Sequence, residues 1–240
     1  MINSRVFLRK FLRFQRDILI CKPRISFHGE TETLGIRDGA KTIVKTSGHL
    51  RILSGGAGEN ISWESEMLKQ KNCEIILLDP TPRSILHVKM YLESIEYRQR
   101  KQTNRLEFFP QALWDTSDEL EMFAPRNSHH NDFSIVDLQN TAQFQSGIQV
   151  QTTTVKEIID RFSWKVIDIL KIDIEGASLP VLRKMFEDYI FPKQILIEID
   201  ELFFPSIRNL NSARKVFKLL RKQGYELAHE KYFDFTFCKN

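Results

Sequence analysis

The sequence is poor in the residues that build staples, metal cages and membrane spans. Its 240 residues hold three cysteines, Cys21, Cys73 and Cys238. An odd number at such wide spacing carries neither a zinc pattern nor a disulfide framework, and it points to a reducing compartment. No run reaches the ~18 consecutive apolar residues of a membrane-spanning helix. The N-terminus has no uninterrupted apolar stretch of the signal-peptide kind, because Arg9, Lys10, Arg13 and Arg16 break it. A cytoplasmic protein is therefore expected. Charge of one sign is not in large excess. The formal net charge is +4 and no dense basic stripe accompanies it, so a nucleic-acid partner is not expected. Repeats and low-complexity tracts are absent. What remains is an ordinary globular composition, 42% hydrophobic and 28% charged, long enough for one α/β domain with a full core.

The first twenty residues carry a helical pattern. Phe7, Phe11, Phe14 and Ile18 fall on one line, with Leu8, Leu12 and Leu19 beside them and Arg5, Arg9, Arg13 and Arg16 opposite. This basic amphipathic helix reads as a segment that packs on the domain or on a second copy in a homodimer. Peripheral contact with an anionic membrane surface through residues 5–20 is the alternative. Residues 1–45 thus form a helix and an irregular lead-in with short strands, and 46–240 form the main domain.

In that domain strands and helices alternate. Strands are expected over His49–Ser54, Cys73–Pro80, Leu106–Trp114, Val166–Ile174 and Lys193–Asp200, with a short edge strand within Glu119–Pro125. Helices are expected over Asn60–Gln70, Pro82–Ile95, Thr152–Phe162, Ser178–Tyr189 and Ser212–Tyr225. A strand pair closes the chain, and residues 126–147 read as a polar insertion. Apolar strands buried on both faces and alternating with helices predict a doubly wound, Rossmann-like α/β sandwich. Its sheet is mostly parallel with an antiparallel C-terminal edge, and its ligands bind at the carboxyl ends of the strands.

The stretch "ILSGGAGENISWE" puts Gly55, Gly56 and Gly58 between the first strand and its helix. Such a turn brings backbone N–H groups and a helix start to a ligand. The dinucleotide fingerprint G-x-G-x-x-G fails, because Ile61 stands where the third glycine belongs. That argues against a nicotinamide-dependent oxidoreductase, and no G-K-[ST] follows to make a P-loop. A ligand without phosphates remains. Asp79 ends the second strand about twenty residues later, where an acid can accept from ribose hydroxyls. Glycine turn plus acid, without a phosphate cradle, is the arrangement expected for S-adenosylmethionine.

Three stretches, "SGGAGENISWE", "LLDPTPRSILHV" and "ILKIDIEGASLPVL", together resemble the FkbM-type methyltransferases, a branch of the seven-strand S-adenosylmethionine-dependent enzymes. The resemblance runs from Leu50 to Tyr225. It implies that Ser54, Gly55, Gly56 and Gly58 line the methionine part of the cofactor, with Glu59 and Asn60 beside it at the helix start. It implies that Asp79 holds the ribose, with Pro80, Thr81 and Arg83 shaping that wall, and that Ala112, Leu113 and Trp114 flank the adenine. Trp114 could stack on that ring or be a core residue, and Asp115 could accept from the adenine amino group or cap a turn. The implied reaction is O-methylation of a sugar, glycan or small natural product. RNA or protein methylation, or a non-catalytic Rossmann-like scaffold with a membrane-surface helix, are the alternatives.

Asp173 and Glu175 end the fourth strand at i and i+2, so their side chains share a face. Three readings stay open. One carboxylate acts as general base on a substrate hydroxyl; the pair holds Mg²⁺ with Glu198; or Glu175 pairs with Lys171 and is structural. The catalytic assignment goes to Asp173 and Glu175, and no metal site is assigned. His129 and His130 in the insertion are either a base carried by a closing loop or solvated. The remaining pocket walls are expected from residues 126–147 and Phe203–Asn211. Positioning of the two reactants dominates such a reaction, with proton removal second.

Overall fold

A computed structural model describes residues 16–98, 104–124, 133–136, 147–203 and 206–239. The N-terminal helix up to residue 15, most of the insertion, and His129 and His130 lie outside the described residues. Residues 16–19 are helical, and Ile20 that follows is fully buried in the main core.

The expected alternation is present. β3 (His49–Gly55), β4 (Asn72–Leu78), β5 (Arg105–Phe109), β9 (Ile169–Ile172) and β10 (Gln194–Glu198) pair in parallel. The hairpin β11 (Glu226–Lys231) and β12 (Asp234–Cys238) adds antiparallel to β10. The sheet order is β11-β12-β10-β9-β3-β4-β5. Its strands are apolar because helices cover both faces. Leu53, Leu170, Ile195 and Phe235 belong to the core cluster on one face, and Ile52, Ile75, Ile169 and Leu196 to that on the other. Full burial of each such side chain contributes about 1.5–3 kcal/mol. The helices are α1 (Ser62–Gln70), α2 (Pro82–Glu93), the short α3 (Ile95–Arg98), α4 (Val155–Phe162), α5 (Ser178–Glu187) and α6 (Ile207–Lys222). Along the edge strand β11, Ser26 and Phe27 both donate to the Leu227 carbonyl. The lead-in thus covers groups that would otherwise invite another strand.

Two departures from the sequence reading matter for the site. The strand expected over Leu106–Trp114 breaks at Pro110, which has no N–H for the ladder. Its second half, β6 (Ala112–Leu113), joins β8 (Ile148–Thr153) and β7 (Glu119–Met122) in a separate small sheet of order β6-β8-β7. Thr152 and Thr153, expected in a helix, belong to β8. The helix begins only after Thr154, whose hydroxyl accepts from Glu157 N while the Glu157 carboxylate accepts from Thr154 N. This reciprocal cap sets the boundary. Thr154→Ala is expected to cost about 1 kcal/mol, a fall of roughly 2–4 °C in Tm for a chain of this size. Thr154→Ser should keep most of it. Thermal unfolding followed by circular dichroism checks this, and an unchanged Tm for the alanine variant would show that the cap contributes nothing.

The lead-in also contains a hairpin, β1 (Thr31–Leu34) with β2 (Lys41–Val44). β2 is buried throughout. Gln194 clasps it with its side-chain amide, accepting from Val44 N at 2.8 Å and donating to Val44 O at 2.9 Å. The Thr236 hydroxyl donates to Thr42 O at 2.5 Å. These contacts fix β2 along β10 and β12, with Lys41 at the carboxyl end of β10 beside Glu198. Among the described residues no helix is long and apolar enough to cross a membrane.

Candidate active site

The chain leaves β3 through Gly56 at φ +88° and Gly58 at φ +56°, both in the left-handed region that favours glycine. At Gly56 the requirement is doubled. A Cβ there would lie 1.8 Å from the Asp173 carbonyl oxygen, so only glycine lets the end of β9 close against the turn. Asp79 finishes the turn. Its Oδ2 accepts from Ala57 N at 2.9 Å and Gly58 N at 3.0 Å, and its Oδ1 accepts from Thr81 N at 2.8 Å and Thr81 Oγ1 at 2.6 Å. A carboxylate offers about four lone-pair sites. Asp79 is 7% exposed and its sites are filled by the protein. It therefore shapes the glycine turn before it can offer anything to a ribose.

Glycine turn, Asp79 and the β6 residues open into one cleft of about 500 Å³. Its far side is polar. Asp173, Glu175 and Glu198 line it together with Lys41 and Lys171. β9 ends at Ile172, so Asp173 and Glu175 do not share a strand face as expected. They meet in the cleft because the chain turns left-handed at Glu175 and Gly176. The Ser134 hydroxyl donates to the Glu175 carbonyl and secures that turn.

Two buried lysines compensate these acids. The Lys171 ammonium donates to Gly56 O at 2.5 Å and lies 3.4 Å from Glu64 and 3.8 Å from Asp173. Lys41, with its side chain 5% exposed, lies 3.1 Å from Asp173, 3.1 Å from Glu198 and 2.5 Å from Asp234. Burial alone would depress Lys41, but its three carboxylates outweigh that and hold it above the ordinary lysine value. Burial likewise pushes Asp173 up, but Lys41 and Lys171 prevail and its carboxyl is lowered. Glu198 differs. Burial and then the Asp173 charge raise it to about 7, against the pull of Lys41. Asp200, buried and donated to by Gly176 N at 2.9 Å, is raised well above the carboxylate range by burial, then by Glu175, Glu198 and Asp173. One oxygen from each of Asp173, Glu198 and Asp200 lies within 4.8 Å of the others. The Lys41 ammonium brings to Asp173 and Glu198 the positive charge that the Mg²⁺ alternative would have supplied.

A family model, the methyltransferase FkbM domain, matches residues 55–227. The chain belongs to the FkbM methyltransferase family. Among solved structures, methyltransferase FkbM from Methylobacillus flagellatus is similar at 13% identity and a TM-score of 0.52, over 82% of this chain and 45% of that one. This FkbM chain therefore spans less than half of that protein's length. A methyltransferase from Pyrococcus furiosus is similar at 11% identity, TM-score 0.41, over 97% of this chain and 98% of that one. No curated protein matches the chain. The seven-strand sheet with its antiparallel edge is the Rossmann-like methyltransferase fold expected from the sequence.

Of the residues expected at the cofactor, Gly56, Gly58, Glu59, Asn60, Asp79, Pro80, Thr81, Ala112 and Leu113 line the cleft of this FkbM protein, and the expected catalytic pair Asp173 and Glu175 does too. Ser54, Gly55 and Trp114 are not in the lining, and neither are Arg83 and Asp115. Ser54 is fully buried and donates to Glu64 at 2.8 Å, pointing beneath the turn. At Gly55 a Cβ would meet Leu113 and Ile174 at 3.1 and 3.3 Å, so its space belongs to packing. Trp114 follows β6 out of the cleft and uses its backbone N–H on Thr153 O. Asn60 is committed in part to Asp38, to which it donates at 2.7 Å, and Glu59 faces Arg83 at 3.6 Å. From the insertion, Phe133 and Ile135 do reach the cleft wall, beside Met122. Lys41 and Asp234 were not foreseen. A lysine opening the strand "KTIV" beside buried apolar residues was the only local sign of the first, and nothing around Asp234 marked it.

Proposed function

We propose that this FkbM chain transfers a methyl group from S-adenosylmethionine to a hydroxyl of a sugar, glycan or small natural product. The observation that carries the reading is that the glycine turn, the Asp79 wall and the carboxylates Asp173 and Glu198 share one cleft. The residues fit the cofactor. Asp38, Glu59, Asp79, Asp173, Glu175 and Glu198 line the cleft against Lys41 and Lys171. That excess of acid favours a cation such as a sulfonium with its amino group and disfavours phosphates. The same balance speaks against an RNA acceptor. Ala112, Leu113, Met122, Phe133 and Ile135 give an apolar wall suited to a flat base. When bound, S-adenosylmethionine supplies an electrophilic methyl carbon whose bond to sulfur breaks with the electron pair left on a neutral thioether.

The protein's own residues then have two tasks. The glycine turn and Asp79 fix where the cofactor lies, and positioning is the larger contribution to such a rate. Glu198, raised to about 7 by burial and by Asp173, is matched near neutral pH to accept a hydroxyl proton. Asp173, held ionised by the two lysines, orients the acceptor by hydrogen bonding.

The test is calorimetric titration of S-adenosylmethionine and S-adenosylhomocysteine into the full chain, followed by transfer of isotope-labelled methyl to a panel of glycans, phenols and polyols. Saturable one-to-one binding and label appearing as methyl ether are expected. Absence of binding by both nucleosides would remove the proposal, and label on nitrogen alone would remove the hydroxyl part of it.

A further inference from the structure

Lys41 and Asp234 lie outside the stretch matched by the family model, residues 55–227. Yet Lys41 reaches the centre of the cleft. It comes from the lead-in hairpin, it is 5% exposed, and its ammonium touches Asp173 and Glu198 at one distance, 3.1 Å, with Asp234 behind at 2.5 Å. Burying an ammonium against three carboxylates has a large desolvation cost, which Lys41 recovers only through those contacts. A chain that needed only to pack β2 would do so more cheaply with an apolar residue, as it does at Ile43 two positions on.

The two carboxylates on this ammonium are not equivalent. Asp173 has a second cation, Lys171 at 3.8 Å. Glu198 lies 3.1 Å from Lys41 and faces Asp173, Asp200 and Asp234. We propose that Lys41 is a positioning residue for the methyl transfer inferred above: it clamps Asp173 and Glu198 on one ammonium, and because Lys171 adds a second cation to Asp173, Glu198 is left as the group that takes the acceptor's proton. The balance is simple. The acceptor oxygen's electron pair forms the bond to the methyl carbon, the carbon–sulfur pair stays on sulfur, and the O–H proton passes to the Glu198 carboxylate, which returns it to solvent. The proposal rests on the methyl-transfer reading but assigns a role that reading does not require.

The charged groups packed around Glu198 come from several elements, and of these Asp173, Lys41 and Asp234 act on it most directly. Lys41 comes from β2, and Lys171 and Asp173 from β9 and its end. Glu175 is in the following turn, Asp200 follows β10, and Asp234 is on β12. Glu64 of α1 lies behind Lys171, and His229 and Lys231 of β11 line the far side of Lys41 and Asp234. Among these, Lys41 is the cation in direct contact with Glu198, so its removal has a defined sign. Neutralising it leaves Glu198 beside uncompensated acids and raises its midpoint. Neutralising Asp234 removes a like charge and lowers it.

The experiment is carbon-13 NMR of the full chain labelled at the glutamate carboxyl carbons, with the Glu198 signal identified by its absence in Glu198→Gln. In the parent that signal is expected to titrate at about 7. In Lys41→Met the midpoint should rise by at least about one pH unit, the usual effect of losing an adjacent opposite charge. Lys41→Arg should restore the parent value, and Asp234→Asn should move the midpoint down. A parent midpoint in the ordinary carboxylate range, or one that Lys41→Met leaves in place, overturns the proposal. If Lys41→Met does not fold, the parent and Asp234→Asn titrations still decide. S-adenosylhomocysteine is titrated into the same samples by calorimetry. Failure of the parent to bind it refutes the methyl-transfer reading. Binding by both parent and Lys41→Met, with Glu198 unmoved between them, refutes only the role of Lys41.

Discussion

Gly56→Ala is expected to lose S-adenosylhomocysteine binding by roughly 100-fold and to lower Tm by roughly 6–12 °C, the equivalents of about 3 kcal/mol. Two separate costs produce this. A side chain at φ +88° is strained in any surroundings. Its Cβ would also lie 1.8 Å from the Asp173 carbonyl oxygen, which is backbone and cannot swing aside. Relief requires moving the end of β9 away from the turn, and Asp173 N donates to Gly55 O at 3.0 Å across that very junction. Gly58→Ala is the internal control. Gly58 is also left-handed, at φ +56°, but a Cβ there meets nothing within 4 Å. It should show only the conformational cost of about 1–2 kcal/mol. Thermal unfolding of the two variants side by side decides the matter. Equal, small shifts would mean that the contact with Asp173 does not constrain the turn.

Asp79→Asn carries the second large effect, and it separates two roles for one carboxylate. If Asp79 only held a ribose, the free protein would be indifferent to the change and binding alone would suffer. The structure assigns it four protein donors: Ala57 N, Gly58 N, Thr81 N and Thr81 Oγ1. An amide has one acceptor oxygen and puts two N–H donors against the others, so at least one buried N–H group loses its partner. Each bond to a charged acceptor contributes about 1.5–3 kcal/mol, and an orphaned buried donor costs a similar amount. The free protein's Tm should therefore fall by roughly 6–12 °C, and S-adenosylhomocysteine binding should become too weak to measure by calorimetry. An unchanged Tm with lost binding would return Asp79 to the ribose role alone.

These two positions show what local sequence can reveal. Although the contact that demands glycine at 56, the Asp173 carbonyl, comes from the end of another strand, glycines at a strand-to-helix junction and an acid at the next strand's end are read directly from residue type and position. The same holds for the alternation that predicts the sheet, since apolar runs and helical periodicity depend on near neighbours. The structure departs from the local pattern where other parts of the chain override it. The strand Leu106–Trp114 looked continuous, but Pro110 cannot join the ladder and β8 captures the second half. Ser54 looked like part of the cofactor turn, but Glu64, held in turn by Lys171, draws its hydroxyl inward. Trp114, open between a stacking surface and a core residue, is half-buried and outside the cleft lining.

The sequence by itself determined the doubly wound frame, the turn at Gly56 and Gly58, the acid that braces it, and the carboxylates at the end of β9. Only the tertiary structure decided how those carboxylates divide their work. Lys41 and Asp234 are 193 residues apart and touch, and Glu198 meets Asp173 because β10 lies beside β9. Charge compensation in a buried cleft depends on distances through space and on lost hydration. Spacing along the chain encodes neither, so the group best placed to take a proton is visible only once the strands are side by side.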